Sequence, residues 1–442
     1  MKKDEIKIAC IGNMNNNMFT VVRYLKDEGY CVTLFLLDEY GHFLPEADTF
    51  DKVDVEVKNL GWNKFTFHQE SKESIKKKFE GYNFFIGTDW APAYLFKAGI
   101  LLDIFCPAGS DLFEYPFCKL EKIRPLPTIA GIEGWRCSKY QYYGIRYTRY
   151  ISMEPTNAEL ERYVKEICSV NSKRIPALPF LYIKQYNENY FQKSEFYERV
   201  KKIRNESDIL IVQHCRQEWK GDKESFHYKA NQIFLKGFRD FISSVPKVRV
   251  NLLLLEYGTD VNASKELILE LGLQDRVHWL PTTLRKNLIG VIDLCDIGVG
   301  ELGKSWVVYG SVLEILSVGK IFIGRRNDKE YSENYSYLYP MFNAVSAEDV
   351  TKSLIEISLD LNKQKLIALT GKKWLEEEII NKSIKTLNGC IENKAMSESN
   401  YSKVVPFKVE LTLFTYTLCS YFIIILNYFK IKLTRSYNPH AV

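Results

Sequence analysis

Short apolar runs alternate with stretches of helical spacing along most of this chain, and no other sequence feature restricts the fold as strongly. In the first part, helical patterns separate four apolar runs, at residues 6–11, 31–37, 83–86 and 101–105. Runs that are apolar on both faces are typical of parallel strands covered by helices, and strand–helix alternation favours βαβ units. The pattern therefore predicts an α/β domain built on a parallel sheet.

A second series of the same kind begins after residue 180. Helical patterns again separate the apolar runs, which occupy residues 209–213, 248–255, 277–280, 297–300 and 321–324. Between the two series, residues 112–160 are rich in Tyr, Arg and Pro and give no clear order of elements, and the prolines of residues 172–179 indicate a linker. The sequence predicts two α/β domains in tandem, residues 1–180 and 181–395, with a cleft between them and terminal helices at the end of the second.

Composition excludes several classes of protein. The 442 residues are 46% hydrophobic and 26% charged, which is typical of globular domains and not of disorder. The net charge of +5 is small for this length, and no nucleic-acid-binding signature is present. The ten cysteines are scattered without a C-x-x-C pair or a Cys/His cluster, which favours reduced thiols over disulfides or a metal site. The N-terminus has no signal-peptide pattern, so we expect a cytoplasmic protein.

The C-terminal tail, residues 396–442, differs from the rest. Residues 411–429 include no charge over 19 positions, close to the roughly 20 apolar residues that span a bilayer. Basic residues flank both ends: Lys408, Lys430, Lys432 and Arg435. We expect residues 411–435 to contact a membrane surface, and the charge at both ends leaves spanning open. The alternative is a helix packed on the protein, which Thr412, Thr415, Ser420 and Asn427 favour.

Two cations lie at positions suited to an anion. Arg216 follows the apolar run 209–213, and Lys229 directly precedes the amphipathic pattern 231–244. In open α/β sheets, ligands bind beyond the carboxyl ends of the strands, and helix N-termini attract anions. The placement predicts that both side chains bind a phosphate or diphosphate, and it points to a nucleotide-linked substrate. The alternative is a pair of solvated surface residues.

Several stretches carry a family resemblance. Residues 216–219 (RQEW) and 229–232 (KANQ) are similar to an Arg element followed by a Lys-Gly-Asn-Asp element. Residues 296–300 (DIGVG) are similar to a strand that ends in a Gly-rich turn. Residues 311–323 (SVLEILSVGKIFI) are similar to an S-x-L-E-A-x-A-x-G-x-P-V-I block. These elements are those of the donor-binding half of retaining glycosyltransferases of the GT-B fold, in the large family 4 group. In the first domain, the loops 12–17 and 109–111 resemble those of members that act on cell-surface glycans.

The resemblance implies a GT-B architecture, with two Rossmann-like domains whose parallel sheets face each other across a cleft. It implies sugar transfer from a nucleotide-diphosphate donor with retention of anomeric configuration, and with neither a metal nor a cofactor. Negative charge grows on the leaving diphosphate during transfer, and fixed cations stabilise that charge. By the resemblance, Arg216 and Lys229 take this role.

Glu314 is the residue that the resemblance assigns to the ribose of the donor. A carboxylate suits a diol because it offers several acceptor sites. Ser311 lies three residues before Glu314 at the start of a helical pattern, so we also place it at the donor. The alternative is a capping box formed by Ser311 and Glu314.

The sequence departs from the family at one position. The family has a second glutamate eight residues before the one that matches Glu314. This chain has Trp306 at that position, and its Glu301 lies thirteen residues before Glu314. The contacts of the transferred sugar are therefore open. Gly303, Lys304 and Ser305 are expected to offer backbone N–H groups to the sugar or the diphosphate.

The first domain supplies the remaining candidate residues. Gly12, Asn13 and Asn16 belong to a strand-to-helix loop that related enzymes place near the diphosphate and acceptor, although an Asn-rich turn is often only a turn. The loop has one glycine where the dinucleotide fingerprint G-x-G-x-x-G needs three, which argues against a dehydrogenase. Asp111 follows the apolar run 101–105 and is expected to orient the acceptor hydroxyl or bind a sugar hydroxyl. Its alternative role is to cap a local turn.

Together these observations predict a membrane-associated glycosyltransferase of polysaccharide biosynthesis at the cytosolic face of the membrane. The expected partners are a nucleotide sugar and a glycan or lipid-linked acceptor, with no nucleic acid. Two alternatives remain, a nucleotide-sugar epimerase of similar architecture and a non-catalytic nucleotide- or glycan-binding protein.

Overall fold

The structure is a computed structural model that describes residues 2–37, 41–119, 129–154, 158–167, 172–225, 227–397 and 407–436. Within these residues the chain forms two parallel sheets flanked by helices, as the alternation predicts.

The first sheet has seven parallel strands in the order β3-β2-β1-β4-β5-β6-β7. They are β1 (Lys7–Ile11), β2 (Cys31–Leu36), β3 (Glu56–Asn59), β4 (Phe84–Gly87), β5 (Ile104–Phe105), β6 (Tyr150–Ser152) and β7 (Lys173–Ile175). Strand β1 is central, and Ile8 is in register with Val32 on one side and Phe84 on the other. The strand order changes direction beside β1, and such a switch point is where ligands bind in doubly wound sheets.

The second sheet has six parallel strands in the order β10-β9-β8-β11-β12-β13. They are β8 (Ile209–Gln213), β9 (Val250–Glu256), β10 (Val277–Pro281), β11 (Ile297–Val299), β12 (Ile321–Gly324) and β13 (Phe342–Asn343). Here β8 is central, and it pairs with β9 and β11. The order changes direction beside β8, so the carboxyl end of this strand is the second expected binding point.

Helices cover both faces of each sheet. Those before residue 180 are α1 (Asn17–Asp27), α2 (Lys72–Lys78), α3 (Ala91–Lys97), α4 (Ser110–Phe113), α5 (Ile129–Arg146) and α6 (Ala158–Ile167). Those that follow are α7 (Glu188–Gln192), α8 (Tyr197–Asn205), α9 (Asn231–Ser244), α10 (Val261–Glu270), α11 (Arg285–Leu294), α12 (Gly310–Ser317), α13 (Asp328–Tyr331), α14 (Ala347–Leu359), α15 (Leu361–Trp374), α16 (Lys382–Ser397) and α17 (Phe407–Ser436). A π-helical stretch, Leu375–Asn381, joins α15 to α16.

Burial on both faces explains why the central strands read as continuous apolar runs. In β1, Ile8 and Cys10 belong to the core on one face of the sheet, and Ala9 and Ile11 belong to the core on the other. Successive side chains of a strand point to opposite faces, so a sheet with two covered faces needs apolar residues at every position.

Four strands lie outside the predicted apolar runs, and each has a physical reason. Strand β3 is an exposed edge strand in which three of the four residues are charged or polar, and β13 has only two residues. Strand β6 lies in the Tyr- and Arg-rich region that gave no order of elements. Strand β7 occupies part of the segment 172–179, so the start of the predicted linker extends the first sheet instead.

The chain returns to the first domain near its end. Leu387, Cys390 and Ile391 of α16 pack in the same core as β1, and Lys394 forms an ion pair with Asp103 at 2.7 Å. Helix α16 therefore packs against the first sheet, although it follows the second sheet in sequence.

Helix α17 forms in the predicted tail. Its window Lys408–Leu426 has a mean hydropathy of 1.8 and is long and apolar enough to cross a membrane, with 11% of the window buried. One side contacts α5, where the rings of Trp135 and Tyr416 are 5.1 Å apart. The outward side is a continuous row of large exposed apolar side chains, formed by Leu411, Phe414, Leu418, Phe422, Ile425 and Phe429. The helix thus has a partner on one side and an uncovered apolar face on the other.

Candidate functional site

A cavity of about 520 Å³ lies at the carboxyl ends of four neighbouring strands of the second sheet, opposite the first domain. The loops that follow β8, β9, β10 and β11 form its wall, together with the first turn of α12. Asn16 and His42 of the first domain and Phe180 close the other side. The structure brings Arg216, Lys229 and Glu314 together in this cavity, which we call the donor cavity after the role that the sequence predicts for these residues.

Glu314 has both carboxylate oxygens engaged. His214 Nε2 lies 2.8 Å from one oxygen, and Arg285 Nε donates to the other at 3.2 Å. The residue is only 8% exposed. Burial alone would raise the pKa of Glu314, but the hydrogen bonds and charges of His214 and Arg285 outweigh it and hold the pKa below its ordinary value. Glu314 therefore presents a buried, ionised carboxylate to the cavity.

Ser311 lies beside Glu314 in the first turn of α12. The helix begins after Tyr309, with no side-chain cap, so the capping box that was the alternative for Ser311 and Glu314 does not form. Ser311 Oγ is buried and has no hydrogen-bond partner among the described residues. Ser311 lines the donor cavity and supplies a hydroxyl there.

Lys229 is held at the cavity by a carboxylate. Its Nζ forms an ion pair at 2.7 Å with Glu301, which follows β11 and also lines the cavity. Ala230 has a left-handed backbone conformation, with φ of 57°, and this turn leads from Lys229 into α9. The lysine therefore lies immediately before a helix N-terminus, as its position in the sequence predicts.

Arg216 lies three residues beyond β8 and is partly exposed at the cavity wall. Its guanidinium pairs with Glu218 at 3.2 Å and contacts His227 Nδ1 at 3.3 Å. The two cations of the sequence prediction thus lie at the two ends of the connection between β8 and α9, and each has a carboxylate neighbour.

Arg285 is a cavity residue that the sequence analysis missed. It is the first residue of α11, and it bridges Glu314 of the second domain and Asp48 of the first. Arg285 and Asp48 are 237 positions apart, and neither lies in a recognisable motif. His214 is likewise absent from the sequence prediction, because nothing in the sequence places it against Glu314.

The loop of residues 12–17 contributes unevenly to the cavity. Gly12 has φ of +86°, and a Cβ atom there would lie 2.5 Å from Thr88 Cγ2, so the position favours glycine. Asn13 fastens the loop, because its amide nitrogen donates to Asn16 Oδ1 at 2.8 Å and its oxygen accepts from Phe19 N at 2.9 Å. Of the three predicted residues, Asn16 lines the donor cavity and Gly12 and Asn13 do not.

Gly303, Lys304 and Ser305 do not line the donor cavity. The Gly303 carbonyl accepts from Arg325 at 2.6 Å, and Ser305 Oγ accepts from the backbone N–H of Asn327 at 2.8 Å. Lys304 Nζ donates to the carbonyl of Glu224. These contacts fix the loop to the second domain, and its predicted donor contacts stay a prediction.

Asp111 also lies outside the donor cavity. Its carboxylate accepts hydrogen bonds from the backbone N–H groups of Asp89, Ala108 and Gly109, each at 2.9 Å, and from Thr88 Oγ1 at 3.3 Å. The residue is 3% exposed, and burial raises its pKa to about 6 although these four bonds act to lower it. The contacts are those of the alternative role, in which Asp111 holds a turn, and its catalytic role stays a prediction.

Trp306 faces a second, smaller pocket of about 280 Å³ between the domains. The pocket is lined by the turn at Gly109, by Met153 and Glu154, and by residues 306–308, and most of these side chains are apolar. Trp306 therefore lies outside the donor cavity, whereas Glu301 lines it and supplies an acidic group there.

Comparison with known proteins gives the fold. No protein-family model and no curated protein matches this chain in sequence. Among solved structures, HepE from Anabaena in complex with UDP is similar over 89% of this chain and all of its own, with a TM-score of 0.57 and 12% identity. The lipopolysaccharide outer core galactosyltransferase WaaB covers 88% of this chain and all of its own, with a TM-score of 0.50 and 14% identity.

A third similar structure has a different activity. The UDP-GlcNAc 2-epimerase from Neisseria meningitidis, bound to UDP-GlcNAc, covers 88% of this chain and 99% of its own, with a TM-score of 0.54 and 10% identity. At these identities the likeness concerns the fold. The chain has the GT-B fold, in which two Rossmann-like domains with parallel sheets face each other across a cleft, and it carries an apolar C-terminal helix in addition.

Proposed function

We propose that this protein is a retaining glycosyltransferase, similar to family 4, that moves a sugar from a nucleotide-diphosphate donor to a glycan or lipid-linked acceptor. The observation that carries the proposal is the donor cavity, where Arg216, Lys229 and Glu314 meet at the carboxyl ends of the second sheet. Ligands of open parallel sheets bind at this edge. The likeness to HepE in complex with UDP and to the galactosyltransferase WaaB supports the same function.

The chemistry assigned to each cavity residue follows from its charge. Arg216 and Lys229 bind the diphosphate and stabilise the charge that grows on it as the sugar departs. Glu314 accepts hydrogen bonds from the ribose hydroxyls, and Ser311 offers a hydroxyl beside it. In the proposed mechanism the leaving phosphate acts as the base on the same face of the sugar, and neither a metal nor a cofactor takes part.

Glu301 takes a further role in the proposal. Without donor, its carboxylate neutralises Lys229 at 2.7 Å and keeps the ammonium group at the cavity. A bound diphosphate presents a stronger anion to the same lysine, so Glu301 is then available to accept a hydrogen bond from the transferred sugar. Glu301 thus replaces the acidic group that the family has at the position of Trp306.

The acceptor side of the proposal rests on two apolar surfaces. The pocket around Trp306 opens between the domains and suits an apolar part of an acceptor. The uncovered face of α17 suits the hydrocarbon edge of a membrane. Both favour a lipid-linked acceptor at the cytosolic membrane face and a role in polysaccharide biosynthesis.

The proposal is tested by donor binding and turnover together. UDP-, GDP- and ADP-sugars are screened by thermal shift, where a donor at about 100 times its dissociation constant adds roughly 2.7 kcal/mol of stability. Arg216→Ala and Glu314→Gln are each expected to lower turnover by about tenfold to a hundredfold, because each removes a charged contact worth about 1.5–3 kcal/mol. Arg239→Ala, which removes an exposed ion pair with Asp240, is the matched control. Turnover near the wild-type rate in either cavity variant would reject the role given to that residue.

The epimerase remains the second candidate because an epimerase has a similar fold. Incubation of the wild type with donor alone separates the two activities. A glycosyltransferase leaves the donor sugar unchanged until acceptor is added, whereas an epimerase converts the sugar while the nucleotide stays attached. Donor binding without either reaction across a broad acceptor panel would favour a non-catalytic binding protein.

A further inference from the structure

Arg285 connects the two domains at the donor cavity. Its Nε donates to Glu314 Oε1 at 3.2 Å, and its Nη1 donates to Asp48 Oδ1 at 3.2 Å. The guanidinium also lies 4.2 Å from the ring centre of Phe180, and Nη1 contacts the carbonyl of the same residue at 3.4 Å. A planar guanidinium holds its donors in a fixed fork and bridges two carboxylates in one set geometry, whereas the donors of a lysine ammonium rotate.

Asp48 is itself fixed by residues of both domains. It is 1% exposed, and its second oxygen accepts from Arg23 at 2.5 Å. Its backbone carbonyl accepts from Gln185 Nε2 and from Tyr190 Oη, each at 3.1 Å. Asp48 is therefore an anchor that does not follow movements of the Glu314 side chain.

The orientation of the Glu314 carboxylate is set from two directions. His214 holds one oxygen from the end of β8, in the second domain, and Arg285 holds the other from the first residue of α11. Two fixed donors on different oxygens define the plane of a carboxylate, whereas a single donor leaves it free to rotate. The contact through Asp48 and Arg285 is the one that depends on the position of the first domain.

We infer that Arg285 is a positioning residue, which holds the Glu314 carboxylate in the plane that the donor ribose requires. Asp48 of the first domain fixes the orientation of Arg285. The inference rests on the proposed function, in which Glu314 accepts the ribose hydroxyls. Its consequence is that the first domain sets the strength of a nucleotide contact made entirely within the second. Displacement of the first domain would weaken donor binding without touching the diphosphate cations.

A purely structural ion pair and a positioning residue differ in one measurable quantity. Loss of a structural pair lowers stability but leaves the preference for ribose hydroxyls unchanged. Loss of a positioning residue lowers that preference itself. The preference is measured by calorimetry as the ratio of the dissociation constants of 2′,3′-dideoxyuridine diphosphate and UDP.

The experiment uses the full chain with three variants and a control. Arg285→Met removes the charge and keeps the chain length, Arg285→Lys keeps the charge without the fork, and Asp48→Asn removes the anchor. The control is Arg204→Met, which removes a partly buried ion pair with Asp296 at the opposite end of the second sheet. GDP and ADP with their dideoxy forms replace UDP if the wild type binds one of them more tightly.

The wild type is expected to prefer UDP by about tenfold or more, because hydrogen bonds to a charged group are worth roughly that ratio each. The preference is expected to fall below about threefold in Arg285→Met, to fall in part in Arg285→Lys and Asp48→Asn, and to stay unchanged in Arg204→Met. Thermal unfolding of Arg285→Met, in which the pair between Asp48 and Arg23 remains, verifies that the protein is folded.

Two results would overturn the inference. A wild-type preference that persists in Arg285→Met would show that Glu314 needs no support from Arg285. An equal loss of affinity for UDP and for its dideoxy form would show that Arg285 supports nucleotide binding in general and not the ribose contact. Failure of the wild type to bind any of the three nucleotides would contradict the proposed function, and the inference would fall with it.

Discussion

Two buried carboxylates in this protein, Glu314 and Asp111, have pKa values shifted in opposite directions. Glu314 and Asp111 are both nearly inaccessible to water, and desolvation raises the pKa of each. Glu314 faces His214 and a guanidinium and keeps a pKa below the ordinary value, whereas Asp111 faces only neutral donors and has a pKa of about 6. Charged partners offset burial more effectively than neutral hydrogen bonds do.

A pH-dependent stability is expected from Asp111. Its pKa is about 6 in the folded protein and close to 3.9 in an unfolded chain, so the folded state binds the proton more tightly. The stabilising contribution is complete below pH 4 and is lost as the pH rises through 6. The stability of the wild type minus that of Asp111→Asn should therefore fall by roughly 1.4 kcal/mol between pH 5 and pH 7.5.

Urea unfolding of both proteins across this pH range measures the difference. A stability difference that does not change with pH would contradict the raised pKa.

At the scale of the elements, apolar patterns identify what is buried and fail where contacts are long-range. The central strands β1, β2, β8 and β9 are buried on both faces, and their runs are visible in the sequence. Edge strands such as β3 are exposed and carry no such pattern. The positions of Arg216 after a strand and of Lys229 before a helix are visible in the sequence, because they depend only on neighbouring residues. The sequence does not reveal Arg285 or His214, whose partners lie 29 and 100 positions away.

The turn after β1 gives a sharp test of element geometry. Gly12→Ala should destabilise the fold more than Gly29→Ala, because both glycines have positive φ but only a Cβ at Gly12 meets another atom, Thr88 Cγ2, at 2.5 Å. A left-handed conformation costs an alanine about 1–2 kcal/mol in each variant. The steric overlap should add roughly 1–3 kcal/mol at Gly12.

The double variant Gly12→Ala/Thr88→Ser is the control. Serine removes Cγ2 and retains the hydroxyl that donates to Asp111. Urea unfolding should show that the added serine recovers most of the excess loss. Equal destabilisation by Gly12→Ala and Gly29→Ala would show that the contact with Thr88 is unimportant.

At the scale of the whole molecule, two sheets present their carboxyl ends to a common cleft, and the last two helices both pack against the first domain. Helix α16 follows the second sheet in sequence but packs against the first. Helix α17 packs on α5 of the first domain and leaves an apolar row uncovered. The proposed membrane contact therefore lies beside the first domain. Residues of this domain also line part of the pocket around Trp306 that is proposed for the acceptor.

Membrane attachment is expected to depend on the uncovered row of α17. Phe414→Asp/Phe422→Asp should reduce binding to vesicles of phosphatidylglycerol by at least about tenfold, since burial of each phenylalanine is worth roughly 1.5–3 kcal/mol. Leu269→Asp/Leu359→Asp, which alters two exposed leucines elsewhere, is the matched control. Cosedimentation with vesicles measures both. Equal binding by the two double variants would contradict attachment through α17.

A crystal structure of the protein with UDP would locate the nucleotide. We expect the diphosphate within hydrogen-bond distance of Arg216 and Lys229, and the ribose hydroxyls against the Glu314 carboxylate. A nucleotide bound away from these three side chains would contradict this expectation.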